Sequence, residues 1–372
     1  MSKSANALWM IVFLAISHTG FSDTLEQEMN KASDTLMELM PFIYNDSAFR
    51  DPTNQDKIQQ QLQQLLWVIE RTPKFIPGHG VNMKISQQSL VQQLKQAKLL
   101  FETKNYATAQ FLLSGVPVIC SSCHIQDGQQ AKLTRKLDRS LFANDFSYGE
   151  FNYYLRHYTQ AQISYLAYLD KPSVQKSRIQ SERTLKRLLD IAILSHEDTQ
   201  KAQIVLSEHT KLPKLNLEVR KKIELWQEGL RSIEPTMMNL DQLEASIYEN
   251  FNERFSLQHE FIFNERNRPS ALYWRKQLHQ LLRRPNTKVD TARVLYLLSI
   301  MERTLGDQID VSLANLYLKE CARMAVATYS SKCLNEYENH LYFYFGGSNG
   351  EGLPPELINE LDALKQNSVN EI

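Results

Sequence analysis

The chain has 372 residues, enough for two or three domains. Its 42 Lys+Arg balance 42 Asp+Glu, which removes the bulk attraction that a nucleic-acid binder or a protein held on an anionic membrane relies on. Gly and Pro number only 12 each while Leu, Gln, Glu, Lys and Ala are plentiful, so the composition favours helix over strand and turn.

The first 22 residues are of a different kind. Lys3 supplies a positive start, Ala7 to Ile16 is an unbroken apolar run, and Gly20 and Ser22 set small residues ahead of Asp23. This pattern predicts a secretory signal peptide over 1–22, cut near Ser22–Asp23. The run is short for a membrane span, covering about 15 Å of a hydrocarbon core of roughly 30 Å. No later segment reaches that length, so the mature chain is expected to be periplasmic and not itself membrane-spanning. Without Lys3 its formal charge becomes −1.

Between Asp23 and Cys123, four segments carry apolar residues at helical spacing. The first runs from Thr24 to about Tyr44, with Leu25, Met29, Ala32, Leu36, Leu39 and Met40 on one stripe. The second starts after Asp51-Pro52, carries Ile58, Leu62, Leu65, Leu66 and Ile69, and stops at the Pro73–Gly80 cluster. The third opens near Ser86 and carries Leu90, Leu94, Ala97 and Phe101. The fourth opens near Asn105 and carries Tyr106, Ala109, Leu113 and Pro117. Pro117 is expected to kink it near Leu113, where the ring meets the carbonyl.

The fourth segment runs into Cys120-Ser121-Ser122-Cys123-His124. Two thiols three residues apart reach the two vinyl groups of a haem, and the next residue offers an imidazole to the iron. Export agrees with that chemistry, which is completed outside the cytoplasm. A zinc site would want a second pair of ligands at short spacing, and no second C-x-x-C or H-x-x-x-H occurs. A redox dithiol would want a strand–turn–helix setting, and a plain disulfide would leave His124 without a role. The motif therefore predicts one covalent haem c, with Cys120 and Cys123 as thioethers and His124 as proximal iron ligand.

Four helices with short connections suit an up-down bundle, in which the first and last are antiparallel neighbours. Residues 23–128 on this pattern resemble the four-helix cytochromes of the cytochrome c-prime class, where C-x-x-C-H closes the fourth helix. The resemblance implies an iron ligand from a Met early in the first helix. Met29 matches best, with Met37 and Met40 less favoured. Ordinary core packing is the other reading of Met29, and it would leave the iron five-coordinate. His79, in the Pro-Gly loop, is an outside candidate.

Residues 129–147 read as a polar linker. Lys132, Arg135, Lys136 and Arg139 make a small basic cluster there, either a solvated face or a contact for an acidic partner or a haem propionate. From Tyr148 to the end the pattern is helix after helix, at 148–169, 173–195, 198–210, 215–232, 240–262, 270–284, 288–305, 309–326 and 330–345, with a short final helix at 354–366. Ala292–Asp307 and Val311–Ala325 resemble the paired helices of a tetratricopeptide repeat, although no clean 34-residue period runs through the region. Stacked helical hairpins over 148–372 are the expectation. Cys321 and Cys333 lie equally far from a turn near Ala327, which suits a disulfide in an oxidising compartment.

The expected fold is all-α, a four-helix domain carrying covalent haem followed by a helical array. The expected function is single-electron transfer with a redox partner protein, periplasmic or membrane-bound, and no enzymatic activity. No Ser/His/Asp group or paired carboxylates suggest catalysis, and no nucleic-acid partner is expected. The class resembled often pairs, so a homodimer is among the expectations. Two alternatives remain: a haem-based gas sensor with an open distal site, and a helical scaffold in which haem is structural.

Overall fold

The computed structural model describes residues 25–72, 81–125, 137–171, 177–196, 199–210, 216–233, 236–251, 265–284, 286–305, 311–345, 352–353 and 355–369. Within these the protein is all helical, with sixteen α-helices, short 3-10 turns and no strand. The expected signal peptide and its cleavage position, His79, and Lys132, Arg135 and Lys136 lie outside the described residues. No helix among them is long and apolar enough to cross a membrane.

The first helices are α1 (Leu25–Ile43), α2 (Asp46–Arg50), α3 (Gln55–Arg71), α4 (Val81–Glu102) and α5 (Tyr106–Ile125). They form where apolar residues recur every three or four positions, and short polar caps set their limits. Asn45 starts α2 by accepting from the Ala48 N–H at 3.2 Å. Asp51 accepts from Thr53 N–H at 2.9 Å and starts the turn into α3. α1 packs on α3, α3 on α4, α4 on α5, and α5 returns to α1. Ala32, Leu36, Leu39, Met40, Phe49, Leu62, Leu65, Leu94, Phe101 and Leu113 are buried between them. The Leu, Met and Phe side chains among them each contribute roughly 1.5–3 kcal/mol by leaving water. Three side chains tie neighbouring helices: Gln61 to Glu38 at 2.9 Å, Gln93 to the Leu112 carbonyl at 2.5 Å, and Gln110 to the Ile43 carbonyl at 2.9 Å.

The second group comprises α6 (Asp145–Tyr154), α7 (Tyr158–Leu169), α8 (Arg178–His196), α9 (Thr199–Thr210), α10 (Leu217–Arg231), α11 (Leu240–Phe251), α12 (Arg268–Leu282), α13 (Lys288–Leu305), α14 (Val311–Arg323), α15 (Ala327–Phe345) and α16 (Pro355–Val369). Helices adjacent in sequence pack together at α6–α7, α9–α10 and from α12 through α15, while α8 lies against α12. Where the spacing predicts one helix over 148–169, the structure has two, α6 and α7. Arg156 takes a left-handed φ of 59°, and the N–H groups of Arg156 and His157 turn back to the carbonyls of Tyr153 and Asn152. That is a Schellman stop built without the usual glycine.

Two buried clusters result. The first holds the core of α1–α5 together with Phe142, Phe151 and Leu155. The second runs from Phe146 to Leu364 and takes in Ile85 of α4. Helix α6 thus supplies side chains to both, and the described end of the expected linker packs Leu137 and Phe142 on the first. Between α6, α7 and α8 lies a buried ionic network. Glu150 accepts from Tyr165 at 2.6 Å and from Tyr154 at 3.2 Å, and pairs with Arg183 at 2.8 Å and Arg187 at 3.4 Å. Across α14 and α15 the sulfurs of Cys321 and Cys333 are at disulfide distance, 1.99 Å, with Cα atoms 6.0 Å apart.

Candidate functional site

Helix α5 carries Cys120, Cys123 and His124 in its last two turns, and its backbone stays helical through Pro117 to Ile125. Buried Ala109, Leu113, Val116 and Ile119 form its inward ridge. Cys120 follows that ridge, is half-buried and packs against the first core. Positions 120, 123 and 124 stand at i, i+3 and i+4, the spacing that brings residues to one helix face. The side chains of Cys123 and His124 lie outside the described residues.

The opposite wall is set by register. Gln110, near the start of α5, holds the carbonyl of Ile43 at the end of α1. The two helices run in opposite directions from that bond. Met29 lies fourteen residues back along α1 and His124 fourteen residues forward along α5. At 1.5 Å per residue each is about 21 Å from the anchor, so the two positions are level. The start of α1 and the end of α5 share one end of the helix group.

At that level the inward position of α1 is Glu28. The buried residues of the helix run Glu28, Ala32, Thr35, Leu36, Met37, Leu39, Met40 and Ile43. Met29 is half-buried at the margin, packed against the same core. Met37 and Met40 are fully buried nearer the anchor. Glu28 is wholly inaccessible to solvent. Its Oε1 meets Lys31 Nζ at 3.0 Å, and its Oε2 is buried with no hydrogen-bond partner among the described residues.

Buried polar groups gather toward this end. Thr72 closes α3 and donates to the Ile69 carbonyl at 2.7 Å. Ser86 and Ser89 are buried on α4, and the Ser89 hydroxyl also has no partner among the described residues. The other end, around Phe49, Phe101 and Ile43, is apolar, with Phe49 and Phe101 edge to face at 5.5 Å. Sequence reading passed over Glu28 and Ser89. The signal for Glu28 was present, a carboxylate on the stripe that joins Leu25 to Ala32.

The residue types and spacing at 120, 123 and 124 are those a covalent haem c would need: two thiol positions and an imidazole position share one helix face, and Cys120 lies against the core. At the same level α1 holds a buried oxygen with no partner among the described residues. His340 Nδ1 is 2.5 Å from Asn315 Oδ1, and His279 Nε2 is 3.6 Å from Glu302. No group of three or more His, Cys, Asp or Glu side chains stands ready for a metal ion among the described residues. Of the expected basic cluster, Arg139 is engaged with Asp145 at 2.8 Å and the Phe142 carbonyl at 2.9 Å. No family model, no curated protein and no solved structure matches this chain.

Proposed function

We propose that the protein is an exported mono-haem c-type cytochrome that passes single electrons to or from a redox partner protein. In this reading α1, α3, α4 and α5 form a four-helix bundle of the cytochrome c-prime kind, and the helices from α6 onward form hairpins on which a partner docks. The observation that carries it is C-x-x-C-H in the last turns of a helix whose inward ridge leads into Cys120. Haem bound there supplies a one-electron Fe(III)/Fe(II) couple. Cys120 and Cys123 would fix it covalently, and His124 would hold the iron from the α5 side. The apolar ridge of Leu113, Val116 and Ile119 excludes water from that side of the helix. The Gln93 bond to the Leu112 carbonyl steadies α5 in the region where Pro117 removes a backbone donor.

The test is co-expression of the full chain with export and haem-maturation machinery, followed by denaturing electrophoresis with haem staining and an alkaline pyridine spectrum. The expected result is one covalent haem per chain, lost in Cys120→Ala/Cys123→Ala and reversibly reducible in the wild type. A wild-type protein that takes up no covalent haem overturns the reading.

A further inference from the structure

We infer that Glu28 is the distal-side ligand, its carboxylate oxygen binding the iron in the ferric state, with Met29 confined to packing. This rests on the reading of the protein as a haem protein. Three observations favour Glu28 over its neighbour. It occupies the inward ridge of α1, four residues from Ala32 and seven from Thr35, while Met29 lies at the margin of the core. It is level with the end of α5 by the register that the Gln110–Ile43 bond sets. Its Oε2 is fully buried and lacks a hydrogen-bond partner among the described residues, while Oε1 is held by Lys31 at 3.0 Å.

A carboxylate buried with one oxygen unsatisfied is destabilising, because that oxygen has given up water for nothing. A ferric iron at this end would supply the partner that Oε2 lacks. Lys31 would then serve as a positioning residue, fixing Oε1 so that Oε2 is the oxygen presented. Ala32, one turn further along the same ridge, has the smallest side chain among the buried residues of that face. A carboxylate oxygen is a hard anionic donor that suits Fe(III) far better than the softer Fe(II). Glu28 would therefore be bound in the oxidised protein and released on reduction by a one-electron donor, while a thioether would favour the reduced state.

The experiment uses the full-length haem-loaded chain in wild type, Glu28→Gln and Met29→Leu forms. Ferric and ferrous absorption, ferric electron paramagnetic resonance and cyanide affinity of the ferric form are read in each. Glu28→Gln should alter the ferric spectra, leave the ferrous absorption nearly unchanged and bind cyanide at least tenfold more tightly, since no anionic ligand need be displaced. Met29→Leu should match the wild type in all three. Glu28→Asp, which keeps the charge on a shorter stem, should fall between wild type and Glu28→Gln in cyanide affinity and serves as the reading if Glu28→Gln does not fold. A Glu28→Gln protein with wild-type ferric spectra and cyanide affinity overturns the assignment while leaving the haem reading intact. So does a Met29→Leu protein that is the one to change. A wild type without covalent haem overturns both.

Discussion

His340 is held neutral by its surroundings. Burial, with the Arg303 guanidinium adding to it, pushes its pKa from 6.5 down to about 4. The unfolded chain binds a proton below about 6.5 that the folded chain refuses until about 4, so this residue's contribution is complete above that window and lost on acidification through it. The loss approaches about 1.4 kcal/mol per pH unit inside the window and flattens below it. Urea unfolding of the wild type between pH 7 and pH 4, set against His340→Gln, should show that extra slope in the wild type alone; parallel profiles would mean that His340 titrates normally. At the same scale, Glu28 and Met29 show what the sequence left hidden. Neighbours on a helix point about 100° apart, and which of the two is inward depends on how α1 is rotated against α3 and α5. Periodicity places both near the apolar stripe; only packing chooses Glu28.

The helices were legible in the sequence because the stripes and caps agree. α4 and α5 lie where Leu90, Leu94, Ala97 and Phe101, then Ala109 and Leu113, predict them, and Lys288–Leu305 matches the predicted 288–305. Stops were less legible where the chain turns left-handed without glycine. Lys104, Arg156 and Ala325 take φ of 61°, 59° and 52°, each just past a helix end. A breaker at Arg156 would have split the predicted 148–169 helix; a long side chain there carries no such mark. The strain offers a handle. Lys104 is exposed, and the Asn105 N–H reaches the Leu100 carbonyl at 2.8 Å across it. Lys104→Gly should stabilise the protein by about 0.5–1 kcal/mol, because glycine adopts that conformation freely. A drop in thermal midpoint would show that the lysine stem packs usefully on α4.

On the scale of the whole molecule, the first and second helix groups are sewn together. Phe151 of α6 and its C-cap Leu155 sit in the first cluster while Phe146 sits in the second. α4 packs against α14, with Lys84 meeting Glu320 at 3.1 Å. The polar run from Gln126 to Ser147 reads as a spacer, and nothing in its composition reveals that Phe142 beds into the core of α1–α5. Long-range pairing of this kind is set by shape and leaves no periodic trace. The sharing predicts joint unfolding. Calorimetry should give one transition, and Phe151→Ala should lower it as a whole by an amount worth about 3–5 kcal/mol. Two transitions, with only the first moved, would mean the groups melt independently.

The shared helix also bears on timing. A chain that emerges from its N-terminus cannot finish the first core when His124 appears, because Phe151 and Leu155 follow about thirty residues later. Until they arrive, the cluster against which Cys120 packs is incomplete, and on the proposed function its thiol would stay within reach of an attaching enzyme. On the proposed function, placing those last core residues late would give haem attachment an interval before the protein shuts around it.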